Sequence, residues 1–285
     1  MTIKKKEHKE KRMRKKKQGG WWQMFCAQCH LMLQQKGFWI AFGILLLFNV
    51  GYYLDSIRTA LGQDLYAVYV SSDQFSLAYW RDGMSLVPVL LPFLVVLPVA
   101  FASCGEEQSA SSMYGVIRGS KMQYYTAKAT AAFLGGGLIV WLPFGLQIFW
   151  NCLTFHGAGT WYDGALYSAR RMGVCGIRWL TLYQLHPIAH QLLSVMVLGI
   201  LSGACSVFAC SVALYIRKYK ILCMLPVFLV SFITRSLQIT GFVLDDYMEW
   251  PGSAQGMVGE IFVIFGFLAA GGILLAMYIR KKEFV

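Results

Sequence analysis

Two groupings of residues in this 285-residue chain have ligand types at ligand spacing, and each lacks a part that the chemistry requires. Cys26-x-x-Cys29-His30 spells the pattern of covalent c-type haem attachment. It follows a strongly basic stretch that holds it on the inner side of a membrane, whereas such attachment takes place on the outer side. No distal ligand accompanies it, and a structural zinc site would need two more ligands at suitable spacing. What remains is two thiols on one face of a surface helix. His186 and His190 stand at i, i+4, a spacing that can hold a metal. In the H-E-x-x-H arrangement a glutamate follows the first histidine as general base, and here Pro187 occupies that place. No metal site is expected.

Two further groupings bear on proteolysis. Glu106-Glu107 is a carboxylate pair beside a hydrophobic run. The intramembrane peptidases that use such a pair carry an arginine four residues after the second glutamate, and Ser111 is there instead. Ser202-Gly203 sits in an apolar run, but a rhomboid-type nucleophile has a glycine two residues before the serine, and Ile200 takes that position. These residues read as helix-packing groups, and no covalent chemistry is expected of the chain.

The elements that carry these residues are long apolar runs. Hydrophobic residues make up 57% of the chain and charged residues 14%, outside the range of soluble domains. A span needs roughly 20 apolar residues to cross about 30 Å of hydrocarbon. Six runs qualify, and they predict an all-α membrane protein with spans at about 38–54, 84–103, 127–150, 187–216, 221–244 and 260–279. Residues 1–20 carry ten Lys/Arg against Glu7 and Glu10 and read as a disordered basic tail resting on anionic lipid. Residues 21–36 place Trp22, Phe25, Cys29 and Met32 at helical spacing, an amphipathic helix lying on the inner surface. The first apolar run is followed by no small-residue cleavage site, so it is expected to be retained. With a cytoplasmic N-terminus, inner segments hold 20 of the 26 Lys/Arg and outer loops five. The positive-inside rule therefore sets both termini in the cytoplasm. Residues 37–285 form one six-span domain.

Within that domain, Pro88, Pro92 and Pro98 should bend the second span. Gly135, Gly136 and Gly137 permit close helix contact, and Gly199-x-x-x-Gly203 is a small-residue packing pattern. Arg235 lies roughly 21 Å from the inner edge of its span at about 1.5 Å per residue. A cation at such depth costs about 2.5–3.5 kcal/mol on insertion scales unless paired. Glu260 is the first-choice partner, with Asp245 and Asp246 as alternatives. A contact with substrate or lipid headgroup is the other reading of Arg235. Cys152 and Cys175 fall in one outer loop, where a disulfide is chemically permitted.

The most specific segment is the inner loop CGEEQSASSMYGVIRGSKMQYYTAK, residues 104–128. Acidic residues end one span, a small-residue stretch and the short apolar turn Tyr114–Ile117 follow, and then come Arg118-Gly119-Ser120-Lys121, Tyr124-Tyr125 and Lys128. This layout resembles the permease subunits of ABC-2 type transporters. There a glutamate ends the second span, a basic Gly/Ser turn follows, and a lysine opens the third. Glu107 matches the acidic position, Gly119-Ser120-Lys121 the turn, and Lys128 the lysine. The resemblance extends to the six-span layout and the preceding amphipathic helix, although the second outer loop is longer than the minimal family pattern. It implies that the loop docks into a nucleotide-binding subunit, with Tyr114, Arg118 and Tyr124 in the docking element. The physical reading agrees, because a short amphipathic element with a basic turn and aromatics can seat in a cleft and move two spans.

The resulting expectation is a non-catalytic permease subunit of a bacterial ABC exporter in the cytoplasmic membrane. It forms half of a pathway for an antimicrobial peptide or other amphiphile. The sequence contains no G-x-x-x-x-G-K-[ST], so ATP and Mg would sit on a partner ATPase. A second permease, identical or homologous, would complete the path, and no cofactor or nucleic acid is expected on this chain. The alternatives are an intramembrane enzyme or a non-transporting anchor of a signalling complex.

Overall fold

The computed structural model describes residues 20–62, 87–108, 120–155, 182, 186–216, 220–236 and 256–281. Among them are seven helices of three residues or more: α1 (residues 20–34), α2 (Lys36–Ala60), α3 (Val87–Gln108), α4 (Lys121–Thr154), α5 (Pro187–Tyr215), α6 (Lys220–Ser236) and α7 (Gly256–Lys281). The described residues contain no strand. Four helices are long and apolar enough to cross a membrane: Lys36–Arg58, Lys121–Thr154, Ile188–Tyr215 and Gly259–Lys281. The apolar stretches described in α3 and α6 are shorter, Leu90–Ser103 and Leu222–Ile233. By these helices the chain is a membrane protein.

α2, α4 and α7 overrun the apolar lengths expected of them. α4 has 34 residues, about 51 Å at 1.5 Å per residue, against about 30 Å of hydrocarbon. It therefore projects beyond the hydrocarbon, and its first two turns carry Lys121, Tyr124, Tyr125 and Lys128. Ser120 caps this start. Its Oγ accepts from the Gln123 amide at 3.3 Å, and Gln123 Oε1 accepts from the Ser120 amide at 3.4 Å. This reciprocal capping box satisfies two donors that a helix start leaves without partners. The Gly119-Ser120-Lys121 turn is thus, at Ser120, a helix-start signal. At the other junction, Gln35 takes an extended conformation between α1 and α2, which separates the amphipathic helix from the first long apolar one.

α5 is the central helix, packed against α3, α4, α6 and α7, while α2 lies on α3 and α4. The expected glycine contacts are present. A Cβ on Gly136 would strike Ser206 and the Ser202 carbonyl, and one on Gly199 would enter the Trp141 ring. One on Gly203 would come within 2.7 Å of the Phe133 carbonyl. The α4–α5 crossing is therefore close because these positions lack side chains. Gly135 faces elsewhere, onto Met32 of α1. α3 continues as a helix through Pro92 and Pro98. Near Pro98, the Val95 carbonyl accepts from Ser206 Oγ of α5 at 3.1 Å, the kind of neighbouring hydroxyl that compensates a proline-weakened ladder. Buried Leu45, Leu91, Val95, Ile139, Val140, Phe144 and Leu201 fill the space between helices. Leu47, Phe149, Phe232, Phe262 and Phe265 point outward, as side chains facing lipid do.

Ser211 Oγ donates to the Gly271 carbonyl and Tyr215 to that of Leu274, so α5 and α7 run parallel at an offset of about 60 residues. Glu260 lies near the start of α7 (Gly256–Lys281), as the span limits predict. Glu260 is 3% exposed. The side chain of Arg235, and Asp245 and Asp246, lie outside the described residues.

Candidate functional site

At the end of the bundle where α1 lies, α3 finishes and α4 begins, and their polar residues meet. Glu106 is in the last turn of α3 and Lys128 in the second turn of α4. Lys128 Nζ stands 2.6 Å from Glu106 Oε2. The same oxygen accepts from the Tyr124 hydroxyl at 3.1 Å, and Oε1 accepts from Gln28 Nε2 of α1 at 2.9 Å. Lys128 also lies 5.9 Å from the centre of the Tyr124 ring. Residue exposure is 7% for Glu106 and 3% for Lys128. Both charges are thus out of water, and each depends on the other and on these donors for solvation.

Each neighbour has a reason to be there. Residues 124 and 128 are one helical turn apart on α4, so both face α3. Gln28 reaches Glu106 because α1 is held on the bundle. Trp21 Nε1 donates to Thr126 Oγ1 at 3.2 Å, Trp21 stacks on Phe25, and Met32 fills the gap over Gly135. On the far side of the pair, Ser103 Oγ and Cys210 Sγ lie 3.7 Å apart. Beside it, Tyr124, Tyr125, Tyr215 and Tyr278 form a chain of edge-to-face rings at 5.1–5.5 Å that joins α4, α5 and α7. The site therefore links every described helix at this end except α2 and α6. Its described polar groups are engaged with one another. It can transmit force, because moving the ends of α3 or α4 breaks buried contacts.

Of the sequence-selected residues, Lys128 and Tyr124 come together here, with Ser120 and Lys121 at the start of the same helix. The carboxylate that meets Lys128 is Glu106, where the family pattern was matched to Glu107. The side chain of Glu107, and Tyr114, Arg118 and Gly119, lie outside the described residues. Gln28 was not selected from the sequence. Its signal was faint: one polar residue beside Cys29 and Met32 on the buried face of an otherwise apolar stripe.

The other groupings are placed as follows. His186 is the exposed N-cap residue of α5, and His190, one turn on, is 1% exposed. Cys26 and Cys29 are free thiols near the start of the chain's described part, and Cys152 is a free, exposed thiol on α4; Cys175 lies outside the described residues. Among the described residues, no three His, Cys, Asp or Glu side chains are grouped to hold a metal. Ser202 is fully buried at the α4–α5 crossing.

Fold and site together define a helical membrane protein with a buried ion pair bridging two of its apolar helices at one end. No family model matches the sequence, and no curated protein or solved structure matches it.

Proposed function

We propose that the chain is a six-span permease subunit of an ATP-driven exporter of the ABC-2 type, in the cytoplasmic membrane of a bacterium. The observation that carries the reading is the Glu106–Lys128 pair, which clamps the two helices flanking residues 109–119 and is tied to the amphipathic helix by Gln28. In this reading residues 104–128 seat in a separate ATPase subunit. Arg118, Lys121 and Tyr114 meet the partner, and the buried pair makes the ends of α3 and α4 move as one body. Closure of the ATPase around ATP and Mg pulls that body and reorients the spans. The α1 end is then cytoplasmic, which agrees with Lys36, Lys121, Arg280 and Lys281 gathering there. A second permease, identical or homologous, completes the pathway, and Arg235 with Glu260 forms an intramembrane pair within each copy.

The test is assembly with an ATPase encoded beside this chain. Wild-type permease should co-purify with it and respond to substrate by raising ATP turnover. Reversal of charge at Arg118 and Lys121 together should leave insertion intact and reduce coupled turnover at least tenfold. Normal assembly and transport by the double variant would refute the docking role of the loop. Failure of any nucleotide-binding protein to associate with the wild type would refute the transporter reading as a whole and favour the signalling anchor.

A further inference from the structure

Cys26 and Cys29 flank Gln28, the residue by which α1 holds Glu106. Cys26 is exposed. Cys29 is partly covered where it packs, with Phe25, against Met32, Val99, Ala131, Ala132 and Cys210. Burial pushes the Cys29 thiol up, and the nearby Cys26 sulfur adds to the rise. The two thiols are therefore neighbours of unequal reactivity, the exposed one open to attack and the covered one waiting behind it.

We propose that Cys26 and Cys29 form a thiol switch, in which oxidation to an intrahelical disulfide distorts the turn carrying Gln28 and loosens α1 from the Glu106–Lys128 pair. Residues three apart on an intact helix hold their Cβ atoms about 5–6 Å apart. A disulfide requires about 3.5–4.5 Å. The bond therefore closes only at the expense of the helical turn, and Gln28 is inside that turn. Once Gln28 is displaced, Glu106 keeps Lys128 and Tyr124, while α1 loses its polar tie to the pair and keeps Trp21 to Thr126, Met32 over Gly135 and the apolar packing of Met24 and Phe25.

The oxidant is a low-molecular-weight disulfide such as oxidised glutathione. The Cys26 thiolate attacks one of its sulfurs and expels one small thiolate, giving a mixed disulfide. The Cys29 thiolate then attacks the Cys26 sulfur and expels the second. Two protein thiols lose two electrons and two protons, and the small disulfide becomes two thiols. The switch stands on the docking geometry of α1. Only its physiological trigger, an oxidising excursion in a normally reducing cytoplasm, rests on the proposed topology.

The experiment uses the full chain carrying Cys152→Ser in lipid nanodiscs, treated with oxidised glutathione or with dithiothreitol. Mass spectrometry of the tryptic peptide 18–36 and hydrogen exchange of α1 are the readouts. Oxidation should remove two hydrogens from that peptide, speed exchange of the amides around Gln28 at least tenfold, and reverse with dithiothreitol. The Cys26→Ser/Cys29→Ser variant should show neither change. Reduced Gln28→Ala should exchange faster over the same turn, which identifies Gln28 as the tether. A stable mixed disulfide at Cys26 with no internal bond would overturn the proposal. So would an internal bond that leaves exchange unchanged, or a Gln28→Ala variant that exchanges like wild type. None of these readouts depends on transport.

Discussion

Glu106 and Lys128 illustrate how much a single pair of side chains can hold in an apolar setting. Removing one partner leaves the other charge buried without compensation, a loss of about 3–5 kcal/mol, whereas replacing both with neutral groups of similar size costs far less. Glu106→Gln and Lys128→Met should therefore each lower the thermal midpoint of the purified protein sharply. The double variant should recover much of the loss. Singles that leave the midpoint where it was, or a double variant as damaging as the sum of the singles, would show that the pair is not a buried unit. Tyr124→Phe removes one neutral donor to a carboxylate that retains two others, and its cost should be smaller, about 1.5–3 kcal/mol for a hydrogen bond to a charged group.

Among the helices, the α4–α5 crossing depends on what is missing from it. Gly136→Leu places a branched side chain against Ser206 and the Ser202 carbonyl, and neither backbone can retreat without parting the helices. Such overpacking costs about 1–3 kcal/mol or more, measurable as a lower thermal midpoint in detergent. Gly43→Ala and Gly266→Ala are the controls, because a Cβ at either meets nothing within 4 Å. They should be neutral, or stabilising by up to about 1 kcal/mol through helix propensity. If Gly136→Leu behaves like these controls, the two helices do not approach as described. The glycine clusters were legible in the sequence, but their partners were not. Gly135 and Gly136 are adjacent and face different helices, a division set by rotation about the α4 axis. The extent of α4 was equally hidden, since hydropathy ends near the lipid boundary whereas helix hydrogen bonds continue to the Ser120 cap.

For the molecule as a whole, the arrangement with both termini cytoplasmic is open to direct measurement. A membrane-impermeant thiol reagent applied from outside should label single cysteines placed at Asp64, Asp163 or Asp246 in a background where the exposed native cysteines are replaced. Cysteines placed at Lys17 or Lys218 should label only after the membrane is opened. Outside labelling at Lys218 would break the six-span arrangement. α3, α5 and α7 run in one direction and α4 in the other: Val95 and Ser103 meet Ser206 and Cys210 in rising order, Gly271 and Leu274 meet Ser211 and Tyr215 likewise, and Gly136 and Trp141 meet Ser206 and Met196 in falling order.

Composition and apolar run length determined by themselves that this chain is helical and embedded in lipid, because hydrocarbon leaves a backbone no partner but its own carbonyls. The spacing of cysteines, histidines, glutamates and serines supplied only an expectation about the metal and protease chemistries considered. Tertiary structure alone decided that Glu106 meets Lys128, since two adjacent glutamates are equivalent as letters. It also brought Gln28 to a carboxylate 78 residues away, a meeting that required α1 to fold back onto α3 and α4. Helical periodicity is local and can be read along one segment. The rotation, register and depth of one helix against another depend on side-chain packing between distant segments, and that packing closed the ion pair between Glu106 and Lys128.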